Sequence, residues 1–249
     1  MKRKVFGLVL IIMAVGIWFY QRWTPDINKE VLEKTEISEV KRKTKNKVDL
    51  DSQKDLRNFE KEEEIRKLKE INPDVVGIIE IPGTKIIGPI LQTDNNEFYL
   101  NHNIYKEYDV NGSIYLDYEC DSPEKGDHTI IYGHNMKNRK MFSDIALFKE
   151  ENFFKEHNTI KIYMPQKVLE YEIIAGYIIN LQDENAFFPF HEYTSWNDEI
   201  DGKKYYESIL PLSVVKKDVE VSPKDSFISL STCTYEHNNA RFILLGRKL

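Results

Sequence analysis

The sequence predicts a mainly β fold, closed as a small barrel of about eight strands with helices inserted between them. Three observations predict it. Short runs rich in β-branched, aromatic and aliphatic residues recur along the chain and are separated by turn-forming residues. Helical periodicity is confined to a few stretches and does not alternate regularly with the strands, which argues against a doubly wound parallel sheet. The 249 residues are 41% hydrophobic and 12% aromatic, enough for a well-filled core.

Lys2-Arg3-Lys4 precede an apolar run from Val5 to Tyr20, followed by Gln21, Arg22 and Trp23. Trp18, Tyr20 and Trp23 are interfacial aromatics that extend a run slightly shorter than the ~20 residues that cross a bilayer. A cleaved signal peptide has a similar basic start. Its best small-residue site, Ala14-Val15-Gly16, lies inside the apolar run, which disfavours cleavage. Residues 1–23 therefore read as a cytoplasmic tip and an uncleaved transmembrane anchor, with cations on the inner side and the rest of the chain outside. Residues 24–48 carry both signs of charge without apolar periodicity and read as an extracellular linker. Residues 49–249 form the folded domain.

That domain opens with a helix over Asp49–Ile71, where Leu56, Phe59, Ile65 and Leu68 recur at helical intervals among Glu and Lys. Asn72-Pro73 ends it, because the residue before proline is driven out of the helical region. Val75–Ile81 and Ile86–Leu91 read as strands around the Pro82-Gly83-Thr84 turn. Thr93–Leu100 is polar, then weakly helical. Ser113–Tyr118 and Thr129–Tyr132 are further strands. Met141–Phe148 and Glu150–His157 read as short helices, the first with Ser143 as N-cap. Thr159–Met164 and Val168–Ile179 read as a hairpin. Ser195–Leu210 reads as a helix capped by Ser195 with Asp198. Phe227–Leu230 and Phe242–Leu245 are the closing strands.

The chemistry concentrates at that last pair. Cys233 follows one strand and Arg241 precedes the next, with a polar loop between. If the strands pair, a thiol stands beside a fixed cation, which favours the reactive thiolate or holds a developing oxyanion. Taken alone, a cysteine after a strand reads as buried filler. Ser231, Thr232 and Thr234 around it point instead to an exposed edge. Histidine titrates nearest neutrality, and His134 stands at the mouth of the Thr129–Tyr132 strand after Gly133. His237 lies in a polar loop; His102, His128, His157 and His191 lie in charged or loop-like stretches and read as surface. Arg247, near the chain end, reads as a surface charge. Cys120 reads as a small buried filler, and two cysteines make no disulfide framework. A net charge of −6 gives no case for nucleic acid, and no Cys or His pair has zinc-ligand spacing.

Leu230-Ser231-Thr232-Cys233 followed by Arg241 resembles the Cys…Arg signature of the sortases, cysteine transpeptidases of Gram-positive bacteria, and most closely their class B. Tyr132-Gly133-His134 with Met141-Phe142 resembles their histidine segment. The resemblance runs from Asn72 to the C-terminus. It implies a β-barrel enzyme that cuts a C-terminal sorting signal of secreted proteins through a thioester on Cys233. His134 exchanges protons and Arg241, with a backbone N–H, stabilises the oxyanion. A peptidoglycan precursor or cross-bridge amine then resolves the thioester, anchoring the protein to the cell wall. The resemblance further implies substrate contacts at Asn96, Leu100, Tyr132, Ser231 and Thr232, and no metal or cofactor. The stretch Leu181–Phe190 corresponds to a groove wall and departs from the class B pattern at Phe187-Phe188-Pro189. Two other classes fit less well. A papain-like hydrolase places its cysteine at a helix start, upstream of the histidine, and a tethered binding module leaves His134, Cys233 and Arg241 unexplained.

Overall fold

A computed structural model describes residues 50–136, 139–181, 187–234 and 239–249. The predicted anchor and linker lie outside these residues. Nine strands form one sheet: β1 (Val75–Glu80), β2 (Ile87–Leu91), β3 (Ile114–Leu116), β4 (His128–Tyr132), β5 (Thr159–Met164), β6 (Lys167–Asn180), β7 (Ser213–Lys216), β8 (Phe227–Thr234) and β9 (Ala240–Lys248). Their order is β5-β1-β2-β3-β4-β8-β9-β6-β7, and a β5–β6 pairing joins the ends. Closure follows from the length of β6. Its first half pairs with β5 (Thr159↔Glu172 to Met164↔Lys167), and further along the strand Ala175–Tyr177 pair with β7. Eight strands therefore form a closed barrel, which leaves no free edges among them, and β7 lies on β6 beyond β5. Two pairings are parallel, β2–β3 and β4–β8; the second places the histidine strand beside the cysteine strand.

Strand β8 is buried on both faces except at Cys233. Alternation puts Phe227, Ser229, Ser231 and Cys233 on one face and Ile228, Leu230 and Thr232 on the other. Over the first face lies the segment between β6 and β7. Trp196 and Tyr205 meet the Phe227 ring at 6.0 and 5.9 Å between ring centres, and Phe190 meets Tyr132 at 6.5 Å. At the far end of β8, Cys233 is only partly buried.

Helix α1 (Leu50–Ile71) lies against β1 and β5. Ile65 and Leu68 are buried, each contributing about 1.5–3 kcal/mol. Leu56 and Phe59, predicted on the same stripe, are exposed at 41% and 68%, so only the C-terminal half of the helix docks through its apolar stripe.

Several local readings are corrected. The helix expected over Ser195–Leu210 is the shorter α3 (Gly202–Ile209), capped by Asp201, whose carboxylate accepts from Lys204 N at 2.9 Å. The Trp196 N–H donates to the Asp127 carboxylate instead of entering a helix, and Asn197 Oδ1 accepts from the N–H of Glu199 and of Ile200, closing a turn. Ser143 is not a cap. It lies inside a 3₁₀ turn (Ser143–Lys149), and its hydroxyl, accepting from Met136 N and set against the Lys140 and Met136 carbonyls, ties down the loop after His134. Helix α2 (Glu151–Glu156) follows. Strand β7 had no expectation. Strands β8 and β9 run further than predicted because their polar ends, Ser231–Thr234 and Ala240–Arg241, complete the ladder.

Candidate active site

The β8–β9 ladder puts Cys233 directly opposite Arg241. Arg241 NH1 donates to Cys233 Sγ at 2.8 Å, and neither residue is fully buried. On its other side β9 pairs with β6, with Ile179 opposite Arg241, so the guanidinium rises from a strand held on both edges. The contact sets a fixed, planar group of N–H donors against the sulfur.

His134 follows β4, which runs parallel to β8 with Tyr132 opposite Ser231. The ladder continues for one further bond, from Gly133 N to Ser231 O at 3.2 Å. The chain then turns away, and side chains tie it back: Thr232 Oγ1 donates to Gly133 O at 2.8 Å and Asn135 Nδ2 to Cys233 O at 2.9 Å. Gly133 is required sterically, since a Cβ there would lie 2.6 Å from the Phe142 ring. Beyond it, Asn135 bridges to Met141, Phe142 N donates to His134 O at 3.0 Å, and Arg139 pairs with the buried Asp144 at 2.7 Å. The imidazole Nε2 lies 2.7 Å from the Leu100 carbonyl. A carbonyl only accepts, so Nε2 carries hydrogen. That carbonyl is closely packed by Gly112, whose positive φ of 58° lets the backbone pass where a Cβ would strike Leu100 O.

The other expected contact residues divide. Leu100 is exposed and Asn96 half-buried beside them. Tyr132 is half-buried, its ring 5.3 Å from that of Tyr115 and its hydroxyl donating to Asp117 Oδ2 at 2.7 Å. Burial, reinforced by the Asp117 charge, holds the Tyr132 phenol well above its ordinary pKa. Ser231 and Thr232 are buried on opposite faces of β8. The Thr232 hydroxyl is spent on Gly133, and the Ser231 hydroxyl is buried with no hydrogen-bond partner among the described residues. In the expected groove wall Leu181 and Phe187 are exposed, whereas Phe188 packs on Tyr193 and Tyr205.

His128, expected at the surface, is 1% exposed. It sits under Trp196 and Tyr205, with Nδ1 2.6 Å from Tyr193 O and Nε2 2.8 Å from Ser229 Oγ; burial pushes its pKa down to about 4. Its charged neighbours in sequence suggested exposure, but strand β4 begins at His128 itself and turns it under the cover. His237 lies outside the described residues. Cys120 is buried as expected: its Sγ lies 3.4 Å from His128 O and accepts from Ile130 N at 3.3 Å, and burial raises its pKa to about 12. Asp117 and Asn135 were missed. Nothing distinguishes Asp117 among 41 acidic residues except its place near the end of a predicted strand. Asn135 carried a faint signal as the neighbour of His134. Among the described residues no cluster of His, Cys, Asp or Glu is arranged to hold a metal, and no helix is long and apolar enough to cross a membrane.

A barrel with a cysteine opposed by an arginine across one strand pair, and a histidine just past the neighbouring parallel strand, fits the class of cysteine acyl-transfer enzymes. The sortase domain model matches residues 79–249. Sortase B of Listeria monocytogenes is 32% identical over 250 residues, covering 99% of this chain and 98% of the relative. Sortase B of Staphylococcus aureus is 26% identical, over 72% of each chain. The crystal structure of Clostridium perfringens sortase B superimposes with a TM-score of 0.67 at 34% identity, covering 74% of this chain and 98% of that one. The chain belongs to the sortase family and is a class B sortase, a cysteine transpeptidase acting on sorting signals of secreted proteins.

Proposed function

We propose that Cys233, His134 and Arg241 perform the transpeptidation. As thiolate, Cys233 attacks the carbonyl carbon of the scissile peptide bond in a C-terminal sorting signal. Protonated His134 gives its proton to the leaving amine as the C–N bond breaks, leaving a thioester. An incoming amine of a peptidoglycan precursor or cross-bridge loses a proton to His134 and displaces the sulfur, forming the new amide bond. Arg241, together with a main-chain N–H, meets the oxyanion in both halves. The single observation that carries these roles is the 2.8 Å approach of Arg241 NH1 to Cys233 Sγ across the strand pair. The tie from Asn135 to Cys233 O supports His134 as the partner, since it holds the histidine loop against the cysteine strand.

The apolar run Val5–Tyr20 with Lys2-Arg3-Lys4 before it supports a single-pass anchor with a cytoplasmic N-terminus and an external catalytic domain. The domain from Asp49 onward, offered a panel of sorting peptides with amine acceptors, should yield the peptide–amine conjugate. Release of hydrolysed peptide alone, with every acceptor tried, would favour a hydrolase. On wall-stripped cells, added protease should remove the domain and leave a membrane stub; a fully protected domain contradicts the external placement.

A further inference from the structure

Asn96 stands between β2 and the Phe98–Leu100 turn with its amide held at both ends. Nδ2 donates to Asp117 Oδ2 at 2.9 Å, and Oδ1 accepts from Tyr118 N at 3.0 Å. A primary amide has two N–H groups and two lone pairs. Each end of Asn96 spends one of them inward. One N–H and one lone pair remain without a partner among the described residues, on a half-buried side chain. Asp117 holds this arrangement from below. It is 2% exposed, also accepts from Tyr132 OH at 2.7 Å and from Glu119 N at 2.9 Å, and pairs with no cation among the described residues. A buried carboxylate without a counter-ion is costly and persists only where hydrogen bonds repay it. Its chemistry fits the position, because an ionised carboxylate accepts and never donates. It therefore receives Nδ2 alone and, together with the Tyr118 N–H, which only donates, forbids the flipped amide.

We propose that Asp117 is a positioning residue that locks the Asn96 amide, so that its remaining N–H and lone pair present one donor and one acceptor to the main chain of an extended peptide. This rests on reading Asn96 as a groove residue of the proposed active site. An extended strand offers the C=O and N–H of one residue along the same edge, the complement of a fixed amide. The same carboxylate holds Tyr132, two residues before His134, so the grip on the peptide is built on the strand that leads to the histidine.

The test uses the full-length protein and sorting peptides in which each main-chain N–H upstream of the scissile bond is replaced in turn by an ester oxygen. Wild type should lose about tenfold in kcat/KM at one position, the cost of one unmade hydrogen bond. Asp117→Asn can offer either an acceptor or a donor to Asn96, so it should lose about tenfold to a hundredfold on the all-amide peptide, mostly in KM, and lose nothing further at that ester position. Alkylation of Cys233 by a small neutral reagent should keep its wild-type rate and pH profile. An ester penalty that persists unchanged in Asp117→Asn, or an equal fall in alkylation, overturns the lock. If Asp117→Asn does not fold, Asn96→Asp replaces it. A second carboxylate then faces Asp117, and kcat/KM relative to wild type should fall as pH rises; a parallel profile is the overturning result. Activity surviving in Cys233→Ala would overturn the site reading itself, and the lock with it, without reference to Asn96 or Asp117.

Discussion

Strand β4 has a cysteine–histidine neighbourhood at each end, and the two behave oppositely. At its start, Cys120 lies against the main chain of His128, and both side chains are buried under the Trp196–Tyr205 cover or in the core. Burial pushes the Cys120 thiol up to about 12 and the His128 imidazole down to about 4, so both stay neutral near pH 7. Past its end, His134 and Cys233 are only partly buried, with Arg241 NH1 on the sulfur and the imidazole Nε2 on the Leu100 carbonyl. The same two residue types are packing in one place and, in the proposed mechanism, chemistry in the other. The difference lies in solvent access and in one guanidinium.

The largest expected effect breaks the comparison at its thiols. Cys233→Ala should abolish cleavage and transfer, whereas Cys120→Ala should keep both and lose only about 1 kcal/mol of stability with its weak thiol contacts. A sorting peptide without acceptor should leave an acyl adduct on Cys233, seen as a mass increase that hydroxylamine removes. An adduct on Cys120 would reverse the assignment.

Next comes the cation. Arg241→Lys keeps the charge but not the planar fork, and turnover should fall by about tenfold to a thousandfold, the range for one oxyanion donor. Melting should change little. Wild-type turnover in the folded variant would remove Arg241 from the mechanism.

The buried end predicts a pH effect on stability instead of rate. The folded pKa of His128 is lowered to about 4, below its ordinary value of 6.5. The unfolded chain therefore binds the proton more readily. The stability associated with neutral His128 is fully present above pH 6.5, erodes as pH falls through that value, and is gone below about pH 4. The full swing is about 3 kcal/mol. Urea unfolding from pH 7 to pH 4 should show this slope, and His128→Gln should flatten it. An unchanged slope would mean that another group causes it.

The smallest effect sharpens the contrast in accessibility. In the native protein near pH 7, iodoacetamide should modify Cys233 and leave Cys120 untouched until the protein is unfolded. Equal native labelling of both would show that the cover does not exclude solvent.

Much of this was legible in the chain. Local pattern located eight of the nine strands because β-branched and aromatic runs with turn signals at their ends need no distant partner to be recognised, and the Gly133-His134 break and the Cys233…Arg241 spacing pointed to the proposed site. Strand β7 was missed, because Ser213–Lys216 is four residues long and its pairing is supplied by β6, far away in sequence. Tertiary structure alone decided which histidine is buried. His128 and His134 are six positions apart in equally polar company, and only the cover laid over one end of β4 separates them. It likewise decided that Ser231 and Thr232 are both buried, and that Asp117, one acidic residue among 41, reaches Asn96 and Tyr132 together. Periodicity is a property of neighbours along the chain, so sequence carries it. Burial and hydrogen-bond partnership depend on which remote segments close over a residue, and those are set by the folded barrel.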